Sequence, residues 1–183
     1  MTFKTPVLFT IYNRPETTRR VFNQIKKIKP KYFYICADGP NNKRTEDSKK
    51  CDEARSLILQ NIDWDCEVKT LFRDENLGCQ QAMSGAIDWF FANEKMGIIL
   101  EDDVLPDLSF FEYASYCLNE YKDDNRIMMI SGHNYLGEWE NKDGSFFFSQ
   151  LGAVWGWASW RRAWKMNERN KGVWEKVQQS DAF

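Results

Sequence analysis

The chain has a single histidine, His133, and five cysteines (Cys36, Cys51, Cys66, Cys79, Cys117) that share no paired spacing. One histidine cannot build a multi-histidine metal centre. Scattered thiols in odd number fit neither a zinc site nor a disulfide framework. Free, buried or half-buried thiols in a reducing cytosol are the expectation. Long apolar runs are also missing, and none approaches a membrane span. The first apolar segment closes at Asn13-Arg14-Pro15, too short for the core of a signal peptide, and lacks a cleavage site. Nor does one sign of charge dominate. The 25 basic and 27 acidic side chains give a net charge of -2 and are well mixed. Without a basic stripe no nucleic-acid partner is expected, and any phosphate must be held locally.

What is present suits one globular domain. A chain of 183 residues with 43% hydrophobic residues can bury a sizeable core. Pro6 to Tyr12 (PVLFTIY) is continuously apolar and β-prone, as a strand buried on both faces should be. Pro15 then starts a helix with Val21, Phe22, Ile25 and Ile28 on one side. Tyr32 to Ala37 reads as a second strand, ending in the Asp38-Gly39-Pro40 turn, and a helix buries Cys51, Ala54, Leu57 and Ile58. Cys66 to Phe72 reads as a third strand, followed by a helix over Cys79 to Ala92. Gly97 to Leu100 reads as a fourth, followed by a helix over Leu108 to Tyr121. Strand and helix thus alternate four times, which predicts an α/β fold with a mostly parallel sheet covered by helices on both faces. Arg126 to Ser131 and Ser145 to Ser149 (SFFFS) read as further strands, the second antiparallel, giving a small antiparallel extension.

The most informative stretch is Gly97-Ile98-Ile99-Leu100-Glu101-Asp102-Asp103. A short apolar strand runs into three consecutive carboxylates. Such charges repel one another unless a cation or hydrogen-bond donors compensate them, and a hard divalent ion with a diphosphate does so economically. In parallel sheets ligands gather beyond the carboxyl ends of the strands. Asn13-Arg14, Asp38-Gly39, Arg73 to Gly78 and Glu101 to Asp103 all fall at such ends. One rim would therefore offer arginines, an aspartate, a glycine turn and the carboxylate triplet. That set matches a nucleoside diphosphate with a bridging metal.

With these residues in place the chain resembles a GT-A-type glycosyltransferase, and most specifically the N-acetylglucosaminyltransferase I family and its bacterial nucleotide-diphospho-sugar transferase relatives. The resemblance runs from Pro6-Val7-Leu8 through Asn13-Arg14, Arg19-Arg20 and Lys29-Pro30. It continues in Asp38, in the DXD-like Glu101-Asp102-Asp103 with Pro106-Asp107 and Phe110-Phe111-Glu112-Tyr113, and in Ser131 to Asn134 and Gly152 to Trp164. It implies a Rossmann-like GT-A fold in one domain, 1–183, with a donor-nucleotide half over 1–104 and the start of an acceptor half over 105–183. It implies a UDP-sugar donor contacted by Arg14, Asp38, Glu101 and Asp102, and Tyr12, Asn13 and Arg73, at the same strand ends, are expected at the donor site beside them. Arg14 would meet the diphosphate, Asp38 would accept from uracil N3, and Glu101 and Asp102 would hold the ribose and sugar. Asp103 would be the direct ligand of Mn²⁺ or Mg²⁺. The implied reaction is inverting transfer of a sugar, of the GlcNAc type, to a glycan or polysaccharide acceptor in bacterial polysaccharide biosynthesis. The general base is normally an aspartate after the Trp-rich segment. Here only Glu168, Glu175 and Asp181 follow it, so the base is expected beyond Phe183 and the chain is read as truncated on its acceptor side.

Several residues also have plainer readings. Trp155, Trp157, Trp160 and Trp164 include i, i+3 and i+4 spacings, which core packing alone explains; Trp155 and Trp157 could instead stack on an acceptor sugar. Arg161-Arg162 beside them would suit peripheral docking at the inner-membrane surface of a cytoplasmic protein. His133 reads as a hydrogen-bonded loop residue, and Asp38-Gly39 as a simple turn. Two alternatives to glycosyl transfer stand beside it. One is a non-catalytic or truncated nucleotide-sugar-binding domain. The other is a nucleotidyltransferase, which would want a Gly-rich basic loop where Asn13-Arg14-Pro15-Glu16 stands.

Overall fold

The structure, a computed structural model, describes residues 3–134, 137 and 144–167. The elements in chain order are β1 (Val7–Ile11), α1 (Pro15–Ile28), β2 (Tyr32–Ala37), α2 (Asp47–Asn61), β3 (Glu67–Phe72) and α3 (Cys79–Asn93). They continue with β4 (Met96–Glu101), α4 (Leu108–Glu120), β5 (Met129–Ser131), β6 (Trp157–Trp160) and the single turn α5 (Arg161–Trp164). The strands form one sheet in the order β3-β2-β1-β4-β6-β5. β3, β2, β1 and β4 are mutually parallel, and β6 runs antiparallel to both β4 and β5. This is the expected α/β architecture, with its antiparallel extension built from β6.

The apolar runs fold as strands because alternate residues serve two cores. Val7, Phe9, Ile11, Phe33, Ile35, Ile98 and Leu100 face the core that holds Phe22 and Ile25 of α1, Ile58 of α2 and Phe111 and Leu118 of α4. Leu8, Tyr34, Cys36 and Ile99 face the opposite core, with Ala86, Ile87, Phe90 and Phe91 of α3. Pro15 opens α1 with its φ already set for a helix, so Arg14 just before it needs no side-chain cap and keeps its guanidinium for other partners. At α4 the Asp107 carboxylate caps the helix by accepting from the Ser109 N–H at 2.9 Å.

Two sequence expectations are corrected. Ser145 to Ser149 is not a strand: Phe146 and Phe148 pack on Tyr121, and Phe146 also on Tyr113, so the aromatic run covers the side of α4. The strand expected over Arg126 to Ser131 is confined to Met129–Ser131. The tryptophan segment is a strand over Trp157–Trp160, entered through Gly156 at φ 71°. The thiols are free as expected, except that Cys79 is exposed rather than buried or half-buried. Glu168, Glu175, Asp181 and Phe183 lie outside the described residues. No helix among the described residues is long and apolar enough to cross a membrane.

Candidate functional site

Chain progress reverses between β1 and β4: β2 and β3 lie to one side of β1, while β4, β6 and β5 lie to the other. At such a switch point the connections leave in opposite directions and open a crevice beyond the strand ends. The exits of β1 and β4 carry Tyr12 to Arg14 and Glu101 to Asp103. The Tyr12 N–H donates to Asp102 Oδ2 at 3.1 Å. The Arg14 guanidinium reaches Asp102 Oδ1 at 3.3 Å and makes a closer ion pair with Asp103. Two of the three adjacent carboxylates thus find compensating partners within the fold.

Burial raises the pKa of Asp102, against the pull of the Tyr12 N–H and Arg14. Burial also raises Glu101, helped by the charges of Asp103 and Asp102 and opposed by Arg14. Asp102 is buried, whereas the Asp103 side chain is 49% exposed at the rim. Among the described residues no group of three or more His, Cys, Asp and Glu side chains is arranged to hold a metal ion. The Asp103 carboxylate is the most exposed of the three, so a divalent ion held there would draw remaining ligands from a diphosphate and water.

A second network braces β1. Asp47, buried at the start of α2, accepts from the Tyr12 hydroxyl, the Asn13 amide and the Asn41 N–H, the last at 2.7 Å. Burial alone would raise Asp47, but the three hydrogen bonds outweigh it and hold its pKa below the ordinary value. Tyr12 is pushed up to about 12, by burial first and by Asp47 second. Asp47 was not singled out from the sequence. Its signal was weak, an aspartate at the first position of an amphipathic helix.

At the exits of β2 and β3, the buried Asp38 accepts from Asn76 Nδ2 at 3.0 Å and from the Leu77 N–H at 3.1 Å. Arg55, also missed from sequence, donates to the carbonyls of Asp38 (3.0 Å) and Arg73 (2.6 Å) and lies over the Phe72 ring. Arg73 donates to Cys36 Sγ at 3.2 Å.

Tyr12, Arg14, Asp38, Arg73, Glu101, Asp102 and Asp103 all line one cavity of about 330 Å³, joined there by Arg44, Asn41, Asn76 and Cys79. Asn13 is not among its lining residues and serves the Asp47 network instead. A second cavity of about 880 Å³ opens on the other side of Asp103, between the β4–α4 loop and the segment before β6. Phe110, Tyr113, His133, Ser145, Asp107 and Trp155 line it, and no lysine or arginine does among the described residues. Trp155 is 52% exposed, with the His133 ring edge-on to it at 5.2 Å. Trp157 lines neither cavity. It is 8% exposed, packed in the α3-side core and against Trp164. Arg161 and Arg162 are turned to backbone carbonyls, Arg161 to Glu94 and Arg162 to Tyr121, Lys122 and Asp124.

The sequence matches no protein-family profile and no curated protein. Among solved structures, the chain is similar to the crystal structure of a 4-diphosphocytidyl-2C-methyl-D-erythritol synthase from Anaerococcus prevotii DSM 20548. The TM-score is 0.51 and the identity 6%, over 97% of this chain and 84% of that one. At this identity the likeness is one of fold.

Proposed function

We propose that this chain is a nucleotide-diphospho-sugar-dependent glycosyltransferase that moves a sugar, of the GlcNAc type, from a UDP-sugar to a hydroxyl of a glycan or polysaccharide acceptor, with inversion. One observation carries the proposal. Asp103 lines both cavities, with Arg14, Arg44 and Arg73 in one and, in the other, an aromatic chamber with no lysine or arginine among the described residues that line it. A diphosphate suits the first chamber and an uncharged sugar face the second, so the bond between phosphate and sugar would fall beside Asp103. Departure of a nucleoside diphosphate builds negative charge on the β-phosphate, and Arg14 would stabilise it more in the transition state than in the ground state. Asp103 would hold a bound Mn²⁺ or Mg²⁺, which would supply Lewis-acid stabilisation at the same phosphate. Asp102 and Tyr12 keep the two strand exits in register while this happens. The likeness to the N-acetylglucosaminyltransferase I family rests on the motif residues, and the acceptor's general base is assigned to none of the described residues.

The structural neighbour favours one competing proposal, nucleotidyl transfer, since its name denotes synthesis of a cytidine diphosphate conjugate. Against it, β1 leads through Tyr12, Asn13 and Arg14 straight into α1 at Pro15, with no glycine-rich loop to wrap a triphosphate. Calorimetric titration of UDP with and without Mn²⁺, repeated on Asp103→Asn, tests the donor site. Mn²⁺-dependent binding abolished by the substitution is expected. Absence of UDP binding under every metal condition overturns the proposal, and tight binding of a nucleoside triphosphate with release of pyrophosphate would favour the competitor.

A further inference from the structure

Among the described residues β3 has a neighbour, β2, along one edge and none along the other. At its start the Glu67 N–H donates to the Lys31 carbonyl at 2.8 Å, and just past its end the Arg73 N–H donates to the Ala37 carbonyl at 3.0 Å. The register between these bonds is unbroken, so the strand has no bulge. The backbone groups of Glu67, Lys69 and Leu71 therefore face β2, and those of Val68, Thr70 and Phe72 face outward. None of the six residues is proline. A flat open edge is a template for another strand, and sheets commonly blunt it with a proline, a bulge, a covering element or charge. Of these devices the described residues give β3 charge alone, as Glu67 and Lys69, and the two signs are opposite.

We infer that β3 pairs antiparallel with β3 of a second copy of this chain, about a two-fold axis at Val68, so that two sheets become one. The inference is independent of the donor-site reading. The charges select both the partner and the register. A two-fold centred on Lys69 would set two ammonium groups against each other, and one centred on Thr70 would set Lys69 against Leu71. Centred on Val68, the pairing sets Glu67 against Lys69 of the second copy, and Lys69 against its Glu67. These fall at positions without ladder hydrogen bonds, where opposing side chains come closest. Val68, 37% exposed, then meets its own copy on the other face. Glu67 and Lys69 are both exposed. Lys69 Nζ stands over the Tyr34 ring at 5.3 Å and donates to Asn93 Oδ1 at 3.1 Å, which leaves two of its three hydrogens for a carboxylate. A strand of one charge sign would repel its own copy; this one is complementary to itself.

The test is the mass in solution, by sedimentation equilibrium from about 1 to about 300 µM chain, a span suited to a small, weak interface. The mass is expected to rise with concentration from 21.7 kDa toward twice that value. Thr70→Pro removes an N–H that faces outward and no bond to β2, so the fold should persist, checked by circular dichroism, while the dimer is lost. Glu67→Lys and Lys69→Glu each set like charges against each other twice, and each should raise the dissociation constant at least about 10-fold. Mixed in equal amounts, these two variants meet with opposite charges at both positions, and the dimer should return. A general loosening of the strand cannot produce that rescue. A mass of 21.7 kDa at every concentration overturns the inference and leaves the edge to solvent or to another partner. A dimer that survives Thr70→Pro overturns the choice of this edge. A dimer that proline abolishes but the charge reversals leave intact, or that mixing does not restore, overturns the register centred on Val68.

Discussion

The backbone N–H of Tyr12 and the carboxylate of Asp102 join two strand exits, β1 and β4, that are 90 residues apart in sequence, through one 3.1 Å hydrogen bond. The bond crosses the switch point of the sheet, where regular ladder pairing has ended. It sets how wide the crevice opens and where Arg14, two residues on, can reach. Asp102→Ala should leave the Tyr12 N–H without its acceptor and deprive Arg14 of a partner. A loss of about 1–3 kcal/mol is expected, measured by urea denaturation. Asp102→Asn should lose less, since an amide oxygen can still accept from Tyr12.

Asp47 gives a stability effect with a defined pH sign. Its folded-state pKa lies below the ordinary aspartate value of 3.8, because the hydrogen bonds from Tyr12, Asn41 and Asn13 outweigh burial. The native state then binds fewer protons than the unfolded chain as pH falls through that range, so the stability contributed by Asp47 is complete above 3.8 and is lost below it. At pH 7 Asp47→Ala should cost about 1–3 kcal/mol by leaving three donors unpaired. The gap between the two proteins should narrow in urea titrations taken progressively more acid than the ordinary carboxylate pKa. A gap independent of pH would mean that the aspartate contributes by packing alone.

Gly97 tests the sheet itself. A Cβ there would collide with the Phe90 ring of α3 and with the Pro6 carbonyl. Because Phe90 is fully buried, it has no free volume into which to move. Gly97→Ala should destabilise by about 1–3 kcal/mol in thermal or urea unfolding. UDP affinity of the folded fraction should stay unchanged, because Gly97 sits at the start of β4, away from the rim.

Much of this was legible in the sequence where one local rule sufficed. The apolar runs of β1, β2 and β4 are buried on both faces, and the turn residues after them mark the rim. Legibility failed where the same spacing serves two geometries. Trp157 and Trp160, three apart, would share a face on a helix; on β6 they point to opposite faces, into the α3-side and the α4-side cores. The phenylalanines of SFFFS are β-prone, yet Phe146 and Phe148 pack on Tyr113 of α4 and on Tyr121 just past its end, a tertiary choice that no local pattern encodes. The residues that line the arginine-rich cavity were picked out by their position at strand ends. Asp47 and Arg55 were missed because they reach the rim from helices, as braces whose partners are distant in sequence.

The pairing of Arg14 with two carboxylates makes its replacement informative. Its guanidinium spans Asp102 and Asp103, and Arg14→Gln should leave both uncompensated beside an incoming diphosphate. UDP affinity should fall by about 10- to 100-fold, the range of a lost charge-assisted contact. Arg14→Lys should recover only part of it, because an ammonium cannot bridge two carboxylates in a fixed fork. Calorimetry on the three proteins at one ionic strength gives the comparison. Full rescue by lysine would show that only net charge counts at this position.

The division of labour between the two cavities makes the last prediction. Trp155 stands at the chamber that no described lysine or arginine lines, and it is not among the described lining residues of the arginine-rich one. It keeps a half-exposed face while its ring is steadied by the edge of His133. A flat aromatic face with polar neighbours suits a sugar ring, and stacking of this kind is worth about 0.5–1.5 kcal/mol beyond buried area. Trp155→Ala should therefore raise the acceptor KM by about 10-fold while the calorimetric Kd for UDP stays the same. Trp155→Phe should restore most of the loss. Trp157→Phe, a change in the core, should lower unfolding stability without selective effect on either ligand. A parallel drop in UDP affinity on Trp155→Ala would mean that the two chambers act as one site and that Asp103 does not mark a boundary between the diphosphate and the sugars.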